Sequence, residues 1–166
     1  MTFRHRIATR DDLPQIVDIY NATIPSRAVT ADLEPVSVES REAWFAEHTA
    51  DRRPLWVVEQ ETRIAAWLSF SDFYGRPAYA RTAELSVYIH EAFRRRGLGS
   101  YLLLQALRTA PNIGVDTLIG FVYGHNGASL ALFQKHGFAQ WGFLPRVTVL
   151  DGVERDVLIF GRRASS

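Results

Sequence analysis

The run Leu85-Ser86-Val87-Tyr88-Ile89, then Arg94-Arg95-Arg96-Gly97-Leu98-Gly99, then Ser100-Tyr101-Leu102-Leu103-Leu104 decides how this chain is read. An apolar stretch ends, two glycines sit in a basic turn, and a helix-like stretch begins. Strand, glycine turn and helix together make an anion site. The first amides of a helix have no acceptor within it, and the helix dipole places partial positive charge there. Glycine lets the backbone approach a ligand closely. Arginines beside the turn add charge and forked donors suited to phosphate oxygens. The turn therefore predicts a pyrophosphate site. A dinucleotide fingerprint would need a third glycine where Leu102 stands, and a triphosphate loop would need a Gly-Lys-Ser/Thr run that the chain lacks. Taken alone, the six residues also fit an exposed basic loop capping a helix.

The flanks narrow this choice. At 166 residues the chain suits one domain with one core, and 47% hydrophobic with 22% charged residues is ordinary for a globular protein. Lys+Arg of 19 against Asp+Glu of 18 leaves a formal charge of +1, which gives no reason to expect nucleic acid as a partner. Cysteine is absent, which excludes disulfides, thiolate catalysis and cysteine-held zinc. His5, His48, His90 and His125 show no metal-ligand spacing, so no metal is expected. No secretion signal is visible at the start, and no run approaches the ~18 apolar residues of a membrane span. The expectation is a cytoplasmic protein with no membrane partner.

Periodicity supplies the element order. Residues 3–9 alternate as a first strand, and Thr9-Arg10-Asp11-Asp12 resembles a helix cap before Leu13, Ile16, Val17 and Ile19-Tyr20. Pro25 ends that helix. Residues 38–50 predict a second helix with Trp44 and Phe45 on one face. Residues 55–59 and 64–70 predict a hairpin, and 82–90 a long strand. The helix after the glycine turn runs to about Thr109. Residues 117–123 predict a buried strand and 126–136 a short helix closed by Gly137. Strands over 139–150 and 153–161 join at Asp151-Gly152, a hairpin dipeptide. The order is β-α-α-β-β-β-α-β-α-β-β in one domain, residues 1–166.

Three segments now converge. Arg94-x-x-Gly97-x-Gly99 resembles the cofactor turn of the GNAT superfamily of acetyltransferases. Thr82-Ala83-Glu84-Leu85-Ser86-Val87-Tyr88-Ile89, Asn126-Gly127-Ala128-Ser129-Leu130 with Gly137-Phe138, and Asn21, Thr23-Ile24 and Glu34-Pro35 resemble its phosphinothricin and methionine-sulfoximine N-acetyltransferase branch. The resemblance covers essentially the whole chain. It implies the α/β GNAT fold, a twisted mixed sheet flanked by helices with acetyl-CoA wedged where the central strands part. It implies transfer of acetyl from acetyl-CoA to the α-amine of a small amino-acid-like acceptor, of methionine sulfoximine, methionine sulfone or phosphinothricin type. It also implies a homodimer. Other readings of the same fold are an enzyme acting on a protein N-terminus or a polyamine, and a non-catalytic acyl-CoA-binding module.

Alternation along the strand puts Glu84, Ser86 and Tyr88 on one face. Burying an unpaired carboxylate is costly, so Glu84 needs a reason for its place, and a desolvated carboxylate can take the proton of an acceptor ammonium. An edge-exposed Glu or one paired with an Arg is the alternative. By the resemblance, the backbone of Val87, Tyr88 and Ile89 pairs with the peptide-like pantetheine arm, and the amide of Val87 or Tyr88 polarises the thioester carbonyl. Arg94, Arg95, Arg96, Gly97, Leu98, Gly99 and Ser100 hold the pyrophosphate, and Asn126 and Ser129 meet the pantetheine, although Asn126 also suits a plain helix cap. Phe133 stands where the branch carries a histidine, so no second acid is expected on that helix; His136 suits the helix C-terminus. On the acceptor side, Arg76 is the candidate for an α-carboxylate, with Phe73, Tyr74 and Gly75 around it.

Overall fold

Residues 2–164 are described by a computed structural model. Thr9 opens the first helical segment as its neighbours require: its amide donates to Asp12 Oδ2 at 2.7 Å, and Arg6 clamps the same carboxylate at 2.7 and 2.9 Å. Arg6 holds the Asp12 carboxyl below the usual carboxylate range. One 3-10 turn, Arg10–Asp12, then leads into α1, Leu13–Thr23, and Ile24-Pro25-Ser26 ends it in a second 3-10 turn.

The strands are β1 (His5–Ile7), β2 (Leu55–Gln60), β3 (Arg63–Asp72), β4 (Thr82–Ile89), β5 (Thr117–Tyr123), β6 (Ala139–Leu150) and β7 (Val153–Arg163). The remaining helices are α2 (Glu42–Ala46), α3 (Leu98–Thr109) and α4 (Gly127–Lys135). The seven strands form one mixed sheet in the order β1-β2-β3-β4-β5-β7-β6. Its neighbours are antiparallel except β4 and β5. Both hairpins turn where the sequence places them, with Asp151 and Gly152 at φ of 53° and 78°, values that favour Asp and Gly.

The sheet is covered on both faces. Leu102, Leu103 and Ala106 of α3 and Phe133 of α4 pack on Leu68, Phe70, Leu85 and Leu118. Ile16 and Ile19 of α1 pack on Leu55, Val57 and Trp67. Apolar residues at i, i+3 and i+4 form these helix stripes, and burial of their area drives the packing. No helix among the described residues is long and apolar enough to cross a membrane.

The second helix departs from expectation. Residues 38–50 predict one continuous helix, whereas the chain makes a 3-10 turn at Glu39–Arg41 and only five α-helical residues, Glu42–Ala46. The cause lies downstream. Thr49 and Arg53 exchange backbone hydrogen bonds of 3.1 and 3.2 Å, which draws the chain into a tight turn before β2. β1 is also shorter than residues 3–9 suggest: its ladder with β2 runs from His5 opposite Val58 to Ile7 opposite Trp56, with the Ala8 amide bonding the Leu55 carbonyl at 2.9 Å just beyond it.

Candidate active site

The glycine turn folds into a backbone cradle. After β4 a 3-10 turn, Glu91–Phe93, closes with the Arg94 amide on the Glu91 carbonyl. From Arg95 to Ser100 no backbone amide has an acceptor among the described residues. Tyr101 is the first whose amide bonds back into the helix, to the Gly97 carbonyl at 3.0 Å. Arg95 and Gly97 both take left-handed conformations, φ 63° and 88°. Successive free amides in such a turn form a concave nest for an anion, here at the positive end of a helix. Arg94, Arg95 and Arg96 are exposed around it. These unpaired donors fit a pyrophosphate.

The two glycines serve different ends. At Gly97 a Cβ would make only an ordinary contact, 3.9 Å to Phe3 Cε2, so the glycine is required by its backbone conformation. A Cβ on Gly99 would lie 2.9 Å from Leu132 Cδ2 and 3.5 Å from Ile89 Cδ1, so Gly99 lets α3 seat against α4 and β4. Ser100 meets α4 as well, its Oγ 2.9 Å from His136 Nε2.

Beside the cradle the sheet splits. β4 and β5 pair only over Thr82–Glu84 against Thr117–Ile119. Beyond that point β4 keeps only β3, as far as Ile89 opposite Ala66, and β5 keeps only β7, as far as Tyr123 opposite Val157. The His90 amide donates to the Ala65 carbonyl at 2.8 Å. In an antiparallel ladder, residues alternate between bonding one neighbour and facing the other way. Counting back along the unbroken register, Ser86 and Tyr88 bond to β3, and Val87 and Ile89 turn their N–H and C=O groups into the split, while Leu85 adjoins the last pair, Glu84 opposite Ile119. This alternation favours Val87 over Tyr88 as the source of a free amide.

Glu84 stands where the split begins. It is half-buried, paired in register with Ser71 on β3 and Ile119 on β5. Its carboxylate has no hydrogen bond or ion pair among the described residues, and burial pushes its pKa above the usual glutamate value. The alternative of an arginine-paired or fully exposed Glu84 is therefore not what the fold shows.

Residues 13–138 match the acetyltransferase (GNAT) family. The chain belongs to this family. A Bacillus subtilis protein, YwnH, provisionally named a phosphinothricin acetyltransferase, is 55% identical over 161 residues, covering 96% of this chain and 98% of that protein. A Salmonella typhimurium L-methionine sulfoximine/L-methionine sulfone acetyltransferase is 29% identical over 147 residues, 89% of this chain and 86% of its own. A solved GNAT phosphinothricin acetyltransferase from Sinorhizobium meliloti, in complex with AcCoA, superposes with a TM-score of 0.92 at 26% identity, covering 98% of this chain and 89% of that one.

On the α4 side of this GNAT site, Asn126 caps the helix: its Oδ1 accepts from the Ser129 amide at 3.2 Å, while its Nδ2 has no partner among the described residues. Phe133, 7% exposed, packs against Phe138 and lies where a Cβ on Gly120 would come within 2.6 Å of its ring. It is a core residue and carries no proton.

On the opposite face of the sheet, Ser86 and Tyr88 line a cavity of about 200 Å³ with Tyr20, Arg41, Trp44 and Trp67. The Trp67 and Tyr88 rings stack at 4.6 Å, and Trp44 meets Trp67 edge-on at 5.5 Å. The Arg41 guanidinium lies 4.9 Å over the Tyr20 ring and 3.1 Å from Asp32, which Tyr20 also engages. The sequence gives one hint of this cavity, the shared face of Glu84, Ser86 and Tyr88. Arg41 and Trp44 join it only through the tertiary fold.

Arg76 does not reach that cavity. It lines a separate crevice with Arg52, Asp72 and Tyr79, exposed and without an ion pair among the described residues. The loop carrying it still leans over the Glu84 face. The Phe73 ring sits 4.5 Å from Tyr74, 5.6 Å from Tyr79 and 6.5 Å from Phe121. Phe121 shares a face of β5 with Ile119, the register neighbour of Glu84. Tyr74 and Gly75 make the bend, at φ 62° and 64°. Buried Arg53 holds both ends of the loop, donating to Asp72 Oδ1 and to the Ala80 carbonyl at 2.7 Å each.

Proposed function

We propose that this enzyme moves an acetyl group from acetyl-CoA to the α-amine of a small amino-acid-like acceptor, of methionine sulfoximine, methionine sulfone or phosphinothricin type, with Glu84 as general base. The observation that carries the reading is an unpartnered, desolvated carboxylate at the mouth of a split strand pair, beside a cradle of free amides. Acetyl-CoA when bound supplies the acetyl group as a thioester. The amides of residues 95–100 and the three arginines would hold its pyrophosphate, and the free edge of β4 would pair with its peptide-like arm. The Val87 amide would donate to the thioester carbonyl oxygen in the split. Glu84 takes the proton that the acceptor ammonium must lose before its nitrogen can attack. The cavity beside Ser86 and Tyr88 supports the acceptor assignment. At about 200 Å³ it is smaller than the ~300 Å³ and upward typical of drug-sized ligands, and suits an amino-acid side chain. It holds an arginine and no carboxylate among its lining residues, which disfavours a polyamine.

The test is an acceptor panel of methionine sulfoximine, methionine sulfone, phosphinothricin, spermidine and an N-terminal peptide, read by thiol release from acetyl-CoA. Turnover is expected with the amino-acid analogues. Turnover with only the peptide or spermidine would replace this reading. We further propose that the enzyme works in the cytoplasm as a homodimer. Support for a dimer comes from β6 and β7, where Trp141, Phe143, Val147, Val149 and Val153 are exposed at the end of the sheet.

A further inference from the structure

We propose that His136 acts through Ser100 as a positioning residue for the cofactor's pyrophosphate, so that the enzyme takes up a proton when it binds acetyl-CoA. The proposal rests on the reading of residues 95–100 as the pyrophosphate cradle. The geometry is a three-part relay. Ser100 is the third residue of α3 counted from Gly97, and its amide is one of the cradle's free donors. Its hydroxyl, on the residue that supplies the last of those amides, lies 2.9 Å from His136 Nε2. His136 is the residue on which α4 ends. It stays there because Arg162 of β7 donates to its carbonyl and because the chain then turns at Gly137, φ 78°.

A serine hydroxyl has one proton to give. When His136 is neutral and accepts at Nε2, that proton is committed to the ring. When His136 is charged, Nε2 donates to Ser100 Oγ, and the hydroxyl proton is free to turn toward an anion on the neighbouring amides. Binding and protonation therefore favour each other.

The surroundings set the direction. Ser100 faces His136 from α3, Arg162 from β7, and Lys135 precedes it on α4; no carboxylate is within ion-pair reach of its ring among the described residues. Burial first, then the charges of Lys135 and Arg162, hold its pKa below the usual histidine value. The positive end of α3 acts in the same sense. The free enzyme thus carries a neutral His136 at neutral pH. An anion in the cradle reverses the local field and raises that pKa. A group whose pKa rises on binding takes up a proton, so affinity grows as pH falls from the bound-state pKa to the free-state pKa and is flat outside that window.

The experiment is calorimetry of coenzyme A binding between about pH 5.5 and 7.5, the range in which histidine titrates, in buffers of different ionisation enthalpy. It compares wild type with His136→Gln, Ser100→Ala and Gly97→Val. His136→Gln keeps the backbone carbonyl that Arg162 uses and removes the titration. The cofactor's own phosphates titrate equally with every variant, so the difference in slope isolates the relay. Wild type is expected to bind about threefold or more tighter at the acid end than His136→Gln does, within the limit of tenfold per pH unit for one proton. Ser100→Ala should lose the same excess. A His136→Gln variant that keeps the wild-type slope and proton uptake overturns the relay and leaves the cradle standing. A Gly97→Val variant that binds normally overturns the cradle itself.

Discussion

Glu84, the proposed general base, is a side chain whose charge is unfavourable for the fold. Its carboxylate is half-buried with no partner among the described residues, so its ionised form is destabilised. Its folded pKa lies above the unfolded value of about 4.3. Stability from the neutral form is therefore present at low pH and lost as pH rises through the folded pKa. Glu84→Gln does not titrate. The variant should melt higher than wild type at neutral pH, by about 2–4 °C for each kcal/mol in a domain of this size, and the gap should close toward the unfolded pKa. Its kcat should fall by about 10²–10⁴, the usual cost of losing a general base, and recover partly as pH rises and the acceptor amine deprotonates in solution. A Gln variant with wild-type kcat and pH profile would make the carboxylate structural. Arg76 is a second single-residue test. If its guanidinium meets the acceptor carboxylate, Arg76→Ala loses a charge-assisted bond of about 1.5–3 kcal/mol. The acceptor KM should then rise about tenfold or more, with the KM for acetyl-CoA unchanged. An equal rise in both would assign Arg76 to the cofactor or to the loop's own structure.

At the scale of elements, the sequence was most readable where the backbone itself forms the candidate site. Arg94-x-x-Gly97-x-Gly99 after an apolar run is enough to infer a cradle, because free amides and a left-handed turn follow from local geometry. Gly97→Val tests this: valine resists φ near 88°, so the thermal shift given by acetyl-CoA should vanish, while the unliganded fold, where a Cβ at that position meets nothing closer than Phe3 at 3.9 Å, survives. Gly99→Val should instead destabilise the unliganded protein, because its Cβ meets Leu132. Distinct failures at the two glycines are the signature of distinct roles, and identical ones would remove the distinction. Less readable was anything set between distant segments. The α2 helix ends early because Thr49 bonds Arg53, and no period in residues 38–50 shows it. Arg41 and Trp44 enter the cavity of Ser86 and Tyr88 across a long stretch of chain. His136 looks like an ordinary helix end until Ser100 is placed beside it. The preference for Val87 over Tyr88 as a free amide rests on one hydrogen bond, His90 to Ala65, which sets the phase of the ladder.

For the molecule as a whole, the sheet is asymmetric in how it is covered. Its centre is sandwiched between α1 and the α3–α4 pair. Its end is not. β6 is an edge strand of twelve residues, with Trp141 and Phe143 about half exposed, at 50% and 51%, and Val147, Val149 and Val153 exposed beside them. Long apolar edges are an aggregation hazard in a monomer and are normally charged, broken or covered. β6 is broken, with register shifts near Gly142 and between Leu144 and Thr148, but its exposed side chains remain apolar. A second copy of the chain is the simplest cover, since a two-fold interface needs only one self-complementary patch. Trp141 cannot simply be deleted to test this, because its ring also fills the space that a side chain on Gly161 would occupy. Val147 and Val149 are better placed for substitution. Val147→Lys with Val149→Lys puts two like charges per copy on the patch and leaves the core untouched. Light scattering should give twice the chain mass of 18.8 kDa for wild type and a shift toward the single mass for the double variant, with the circular dichroism spectrum unchanged. A wild type of single mass would mean that the β6 surface is open in solution. A double variant that stays dimeric would place the interface on another face.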